Sequence, residues 1–163
     1  MLKIIATGPE SSGKTTLCKA LSKHFNLPFS KEYAREYLDA LNRDYNQDDL
    51  LKIAKGQLQA ENGIQLLDTD LITLKIWSEY KYGSCNKWIL SQIEKQKSEK
   101  RFYLLCKSDI PWEADPQREN PNNREELFEI YKTELESLGH TYFVVEGKDR
   151  VEKSISKISN LIS

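Results

Sequence analysis

Residues 8–15 have the types and spacing of a site for phosphate chemistry. They read Gly-Pro-Glu-Ser-Ser-Gly-Lys-Thr and fill the pattern G-x-x-x-x-G-K-[ST] at every fixed position. An apolar run, residues 2–7, precedes them, and Leu17, Leu21 and Phe25 follow at helical spacing. A turn between a strand and a helix presents backbone N–H groups to a polyphosphate. The pattern in this context predicts that the protein binds a nucleoside triphosphate together with Mg²⁺.

The positions of this phosphate loop have distinct expected roles. Gly8 lets the chain leave the strand in a conformation that a side chain would oppose, and Gly13 lets the backbone approach the phosphates. We expect Lys14 to reach the β- and γ-phosphates and Thr15 to ligate Mg²⁺ through its hydroxyl. The residues expected to bind ATP here are Gly8, Glu10, Ser11, Ser12, Gly13, Lys14, Thr15 and Thr16.

Two aspartates follow the apolar run at residues 64–67. Asp68 closes this predicted strand, as the second metal-binding carboxylate of phosphate-loop enzymes does, so we expect it to hold Mg²⁺ directly or through water. Asp70 is a candidate for contacting the substrate and for catalysis. It could instead cap the helix that begins at Leu71. The sequence leaves both roles of Asp70 open.

Glu32 lies where a second predicted strand, residues 27–31, runs out. A carboxylate there could accept the proton of an attacking hydroxyl or bind sugar hydroxyls. Arg35 and Glu36 follow on the next predicted helix and are candidates for binding the substrate. The alternative is that the three residues form a charged helix start.

Residues 107–123 are polar, contain three prolines and show neither a helical nor a strand period. Such a long connection is typical of a functional lid or of a disordered loop. Arg118 within it and Arg124 just beyond it are expected to hold the charge that spreads over the oxygens during phosphoryl transfer. Trp112 is either a buried anchor of the lid or a stacking surface for a flat ligand.

Composition narrows the functional classes. The 163 residues suffice for one domain with its own core, 1–163, and the net charge of −1 with scattered basic residues argues against long nucleic acid as a partner. The 3 cysteines are far apart and odd in number, so they predict neither a disulfide framework nor a C-x-x-C metal site. We find no signal peptide and no long apolar run, which predicts a cytoplasmic protein without a membrane partner. The oligomeric state stays open.

The order of elements predicts the fold class. Apolar strand patterns alternate with amphipathic helical patterns, which is typical of a parallel sheet covered by helices on both faces. The expected strands are 2–7, 27–31, 64–67, 101–106 and 141–145, and helices are expected at about 71–82 and 87–96 among others. We therefore predict a three-layer α/β/α phosphate-loop fold with a five-stranded parallel sheet and a lid at about 107–123. Ligands of such sheets bind at the carboxyl ends of the strands.

Four blocks in this order resemble the nicotinamide-riboside kinase domain of NadR-type proteins: residues 8–15, 32–37, 68–73, and 112–115 followed by Arg118. The resemblance implies a stand-alone kinase that converts nicotinamide riboside and ATP to nicotinamide mononucleotide and ADP. Bifunctional members of this family carry an adenylyltransferase domain before the kinase, and some also carry a DNA-binding domain; because this chain begins at the first strand, we expect it to hold neither. The resemblance also implies the nucleoside- and nucleotide-kinase type of the phosphate-loop fold. The substrate-binding residues it implies are Glu32, Arg35, Glu36, Asp70, Trp112 and Asp115, and analogy places adenine near Gly147 and Arg150.

Other functions share the phosphate loop. A kinase of another nucleoside or of a thiamine-like molecule would differ only in its acceptor pocket. A regulatory ATP-binding module without catalysis is disfavoured by Lys14, Thr15, Asp68 and the lid arginines. A GTPase-type switch is also disfavoured, because the run that begins at Cys106 matches the guanine-reading [NT]-K-x-D pattern only with Cys in place of Asn.

Overall fold

A five-stranded parallel sheet forms the centre of the computed structural model, which describes residues 1–112, 115, 117–120 and 122–162. The strands are β1 (Lys3–Thr7), β2 (Phe29–Ser30), β3 (Leu66–Asp68), β4 (Arg101–Cys106) and β5 (Thr141–Val145). The helices are α1 (Lys14–Phe25), α2 (Tyr33–Asp39), α3 (Gln47–Ala60), α4 (Leu71–Tyr82), α5 (Lys87–Gln96), α6 (Arg124–Ser137) and α7 (Arg150–Ile162). Neighbouring strands pair in parallel in the order β2-β3-β1-β4-β5. This confirms the predicted fold class.

The sheet lies between two helical layers because its side chains alternate in direction along each strand. Ile4 and Ala6 of β1 face a core cluster that includes Leu17 and Leu21 of α1 and Ile158 of α7. Ile5 faces the opposite cluster, to which helices α2 to α6 contribute. The central strands are therefore apolar on both faces, as in parallel sheets that helices cover completely.

The two short strands differ most from their predicted bounds. β2 contains only Phe29 and Ser30, which pair with Leu66 and Leu67 of β3. Pro28 has no N–H group to donate to a neighbouring strand, which explains why pairing starts at the residue after it. By contrast, α4 and α5 begin and end where the helical patterns predicted.

The topology brings the predicted functional segments to one edge of the sheet. β1 lies between β3 and β4, so the phosphate loop after Thr7 is flanked by the chain that leaves Asp68 and the chain that leaves Cys106. Among the described residues, no helix is long and apolar enough to cross a membrane.

Candidate active site

The phosphate loop is held tightly against the end of β4. Gly8 has a φ of 137°, and a Cβ atom at this position would lie 2.5 Å from the carbonyl oxygen of Cys106. Ser11 and Gly13 also have positive φ, 55° and 85°, and the Ser12 hydroxyl donates a 2.7 Å hydrogen bond to the Pro9 carbonyl. A side chain at residue 8 would have to displace backbone, which agrees with the role predicted for this glycine.

Lys14, the first residue of α1, lies across this loop. Its Nζ donates hydrogen bonds to the carbonyls of Gly8 and Pro9 at 2.9 and 2.8 Å. The side chain thus places its charge over the loop, at the positive end of the α1 dipole. An ammonium group beside a helix N-terminus makes this end of α1 a site for an anion such as a phosphate.

Thr15 and Asp68, the two residues predicted for Mg²⁺, are in direct contact. The Thr15 hydroxyl donates to Oδ2 of Asp68 at 2.7 Å, whereas Oδ1 of Asp68 is buried and has no hydrogen-bond partner among the described residues. Burial raises the pKa of Asp68, and the Thr15 hydrogen bond and the Lys14 charge oppose this rise. An orphaned carboxylate oxygen beside a hydroxyl offers the hard oxygen ligands that Mg²⁺ prefers.

Thr15 and Asp68 offer two oxygen donors to a metal at this position. No group of three or more His, Cys, Asp or Glu residues suited to a metal occurs in the described part of the chain. This fits Mg²⁺, which commonly takes one or two protein ligands together with phosphate oxygens and waters.

Glu32 lies on the wall of the same cavity, at the N-cap position of α2. Burial raises its pKa above the ordinary value of 4.5; the Lys14 charge opposes this rise and the Asp68 charge adds to it. The Thr69 hydroxyl lies 3.4 Å from Oε2 of Glu32. Gln57 connects the start of α2 to the residue after β3. Its side chain accepts a hydrogen bond from the N–H of Tyr33 and donates one to the carbonyl of Thr69. A half-buried carboxyl whose pKa is raised is suited to accepting a proton from a reacting hydroxyl.

A cavity of about 200 Å³ joins the phosphate loop to Glu32. Residues 8–16 form one wall, and the others are formed by side chains of α2, α4 and α6 and by Ile110, Gln117, Arg118 and Asn120 of the lid. Of the predicted site residues, those that line it are Gly8, Glu10, Ser11, Ser12, Gly13, Lys14, Thr15, Thr16, Glu32, Arg35 and Arg118. The arrangement allows a triphosphate on the loop to face a second, smaller ligand.

This cavity is also lined by three aromatic residues that we did not predict from the sequence: Trp77, Tyr80 and Tyr131. Trp77 packs edge-on against Tyr45 with ring centroids 5.0 Å apart. The Tyr131 hydroxyl donates to the hydroxyl of Thr73, which also lines the cavity. On α4 these positions carry a detectable signal, because 73, 77 and 80 recur at helical spacing on a face separate from buried Leu71, Ile72 and Leu74.

Asp70 does not line the cavity, so its predicted role in substrate binding and catalysis needs correction. Its side chain is fully buried and caps α4 by accepting from the N–H of Ile72. Oδ2 also accepts from Arg101 at 2.8 Å and from the Tyr103 hydroxyl at 2.6 Å. Glu61 completes this cluster by pairing with Arg101. Asp70 compensates a buried guanidinium, and the helix-cap alternative is the one that the structure supports.

Trp112 and Arg124 also lie outside the residues that line the cavity. The Arg124 guanidinium stacks on the Trp112 ring at 5.4 Å and donates to the carbonyls of Ser11 and Ile110, each at 3.0 Å. The pair therefore fastens the beginning of the lid to the phosphate loop. Trp112 is half-buried beside Arg124, and Arg124 acts on the loop backbone instead of facing the cavity.

Glu36 and Asp115 likewise do not contribute to the cavity wall. Glu36 is exposed on α2, whereas Asp115 pairs with Arg35 at 2.7 Å and accepts from the N–H of Gln117. That backbone hydrogen bond, followed by Arg35, lowers the pKa of Asp115. Asp115 thus connects the lid to α2. The predicted block at 112–115 includes residues 113 and 114, which lie outside the described residues.

Arg150 contacts the phosphate loop and lies beside Gly147, and neither residue lines the cavity. Arg150 donates to the Ser12 carbonyl at 2.8 Å and forms an ion pair with Asp109, which also accepts from the N–H of Gly147. Asp109 is the residue that would read guanine in a GTPase-type switch. Its engagement with Arg150 and Gly147 adds to the evidence against that alternative.

The sequence of the chain is similar to one protein family and to two curated proteins. A family model described as AAA domain (AAA_28) matches residues 3–153. The trifunctional NAD biosynthesis/regulator protein NadR of Escherichia coli (strain K12) is 27% identical over 157 residues, covering 87% of this chain and 37% of NadR. NadR of Salmonella typhimurium is 26% identical over 119 residues, covering 66% of this chain and 28% of its own. The chain therefore spans less than half the length of these relatives.

Among solved structures, the chain is also similar to NadR proteins. A NadR protein in complex with NR has a TM-score of 0.73 and 26% identity, with 98% of this chain and 50% of that chain covered. A NadR protein in complex with NAD and AMP-PNP has a TM-score of 0.72 and 25% identity, with 98% and 49% covered. Deoxyadenosine kinase from M. mycoides, at 13% identity and a TM-score of 0.62 with 98% of this chain and 100% of that chain covered, shows a likeness of fold alone.

Proposed function

Because the chain belongs to the AAA domain family and matches NadR proteins over most of its length, we propose that it is an ATP-dependent small-molecule kinase. The acceptor that we propose is nicotinamide riboside, whose phosphorylation at the 5′-hydroxyl gives nicotinamide mononucleotide and ADP. One observation carries the proposal: a single cavity has the phosphate loop on one side and Glu32 with aromatic side chains on the other.

The ATP side of the site consists of the loop and its flanking residues. Backbone groups of residues 8–16 and the Lys14 ammonium bind the phosphates. Thr15 and Asp68 would hold Mg²⁺, which would neutralise negative charge on the phosphates. Gly147 and Arg150 lie next to the loop and are the proposed neighbours of the adenine.

The acceptor side suits a flat cationic ring attached to a sugar. Trp77, Tyr80 and Tyr131 supply aromatic surface, and a cation over such a ring gains about 0.5–2 kcal/mol. Nicotinamide riboside has such a ring, and the neighbouring carboxylate of Glu32 adds attraction for its charge and an acceptor for ribose hydroxyls. A NadR protein has been solved in complex with NR, which supports this choice of acceptor.

Phosphoryl transfer requires a general base and positively charged groups around the transferring phosphoryl group. Glu32 accepts the proton of the 5′-hydroxyl while that oxygen attacks the γ-phosphorus and the bond to the β-phosphate oxygen breaks. Lys14 and Arg118, both on the cavity wall, stabilise the charge on the transferring oxygens. Holding both reactants in one cavity supplies the favourable geometry that this step requires.

The test is a panel of acceptors incubated with ATP and Mg²⁺, scored by ADP release and by the mass of the product. Nicotinamide riboside, adenosine, uridine, deoxyadenosine and thiamine are compared at equal concentration. We expect kcat/KM to be highest for nicotinamide riboside. Preference for another acceptor would retain the kinase and reject the acceptor, and ADP release independent of every acceptor would reject the kinase.

Matched lysine variants complete this experiment. Lys14→Ala should lower kcat by at least about 10²-fold, the cost of removing one preorganised charge-stabilising donor. Lys23→Ala changes an exposed lysine near the far end of the same helix and should leave turnover intact. Equal turnover of the two variants would show that the loop does not act on the phosphates.

A further inference from the structure

Glu10 is an acidic residue inside the loop that we propose binds a triphosphate. It lines the cavity next to backbone groups and a lysine suited to anions. A carboxylate in this position repels a polyphosphate, because like charges at short range raise the free energy of the complex. Its presence therefore calls for a contact that offsets this repulsion.

The contact is with the backbone of the lid. Oε2 of Glu10 accepts hydrogen bonds from the N–H groups of Glu119 and Asn120, both at 3.0 Å. Successive N–H groups that converge on one oxygen form a concave anion site, and a charged acceptor binds them roughly twice as strongly as a neutral one. A carboxylate suits this position for that reason.

The residue just before these two N–H groups is Arg118, on the cavity wall. The next loop residue, Ser11, is held through its carbonyl by Arg124, which also binds the carbonyl of Ile110. Glu10 therefore holds the lid directly at residues 119 and 120, and the neighbouring Ser11 is connected to residue 110 of the lid through Arg124.

We infer that Glu10 is a positioning residue, whose carboxylate fixes the backbone at 119 and 120 and thereby places Arg118 on the wall of the reaction cavity. The inference rests on the proposed phosphoryl transfer, in which Arg118 stabilises the transferring group. A displacement of about 1 Å in such a group can cost on the order of 10²-fold in rate.

A double-mutant cycle tests this coupling with Glu10→Ala, Arg118→Ala and the double variant. Glu10→Ala should lower kcat by about 10- to 100-fold and should not raise the KM for ATP. In the Arg118→Ala background the same change should have little further effect, because the two residues act through one group. Losses that multiply, or a raised KM for ATP, would overturn the inference.

Conservative and control variants sharpen the cycle. Glu10→Gln keeps a neutral acceptor for both N–H groups, so we expect it to restore part of kcat. Glu125→Ala removes an exposed glutamate from the first turn of α6 and should match the wild type. A Glu10→Gln variant as impaired as Glu10→Ala would also contradict the inference.

Amide hydrogen exchange provides a readout that needs no turnover. Glu10→Ala should accelerate exchange at Glu119 and Asn120, with the Gln variant in between, and unchanged protection would overturn the inference. A chain inactive toward every riboside would reject the proposed function while this exchange result still reported on Glu10.

Discussion

The hydroxyl of Thr15 donates a hydrogen bond to Oδ2 of Asp68 across 2.7 Å. The two residues are 53 positions apart, and the parallel pairing of β1 with β3 brings them together. The other carboxylate oxygen of Asp68 is buried without a partner among the described residues. The contact therefore unites a hydroxyl and a carboxylate at the place where Mg²⁺ would join the protein to the phosphates.

Thr15→Ala should raise the Mg²⁺ concentration for half-maximal turnover by about 10- to 100-fold, because it removes one oxygen ligand. Thr15→Ser keeps that oxygen and should stay close to the wild type. The measurement is a Mg²⁺ titration at fixed ATP, with Thr133→Ala on the exposed surface of α6 as the control. An unaltered midpoint in Thr15→Ala would place the metal elsewhere.

The raised pKa of Glu32 predicts the pH dependence of turnover. A general base acts in its deprotonated form, so kcat should fall as the pH drops through this raised value, above the 4.5 of an ordinary glutamate. Glu32→Gln should lose this acidic limb and lower kcat by about 10²- to 10⁴-fold. The pH–rate profiles of the variant and of exposed Glu94→Gln give the comparison. If Glu32→Gln retained both kcat and the limb, Glu32 would not be the base.

The same shift predicts a change in stability with pH. Folding raises the pKa of this carboxyl, so the folded state binds its proton more tightly than the unfolded state does. The resulting penalty is absent below the unfolded pKa and complete above the folded pKa. Glu32→Gln removes it, so its free energy of unfolding relative to the wild type should be higher at pH 8 than at pH 4. Urea unfolding at both pH values measures this, and a difference of the opposite sign would contradict the burial of the charge.

We expect Asp70→Asn to lower the free energy of unfolding rather than to act directly on the reaction. The change leaves the buried guanidinium of Arg101 with Glu61 as its remaining buried carboxylate, and breaking such a pair costs about 3–5 kcal/mol. Urea unfolding should show this loss, whereas exposed Asp39→Asn should show none. Full stability combined with lost turnover in Asp70→Asn would instead return Asp70 to the reaction.

Trp77→Ala should raise the KM for the acceptor by about 2- to 30-fold, the equivalent of the 0.5–2 kcal/mol of a ring–cation contact. The KM for ATP should change less, and neither constant depends on the fraction of folded enzyme. Trp88→Ala, on α5 and outside the residues that line the cavity, is the matched control. A larger effect from Trp112→Ala than from Trp77→Ala on the acceptor KM would reverse the assignment made from the structure.

The geometry of the phosphate loop was predictable because its determinants are local. The phosphate loop needs a glycine at residue 8 for its backbone and a lysine and a threonine at the start of α1, all within one contiguous segment. The alternation of apolar strands and helices likewise predicted the parallel sheet, because the spacing of apolar residues in the sequence shows which segments are strands and which are helices.

The residues that line the cavity opposite the phosphate loop could be identified only from the tertiary structure. Asp70, two residues after Asp68 in the sequence, pairs with buried Arg101 of β4, and no local pattern encodes that partner. Trp112 lies in the predicted lid, yet the aromatic wall of the cavity comes from Trp77, Tyr80 and Tyr131. Which side chains face a shared cavity depends on how the helices pack across the sheet, and this involves contacts between residues far apart in the chain.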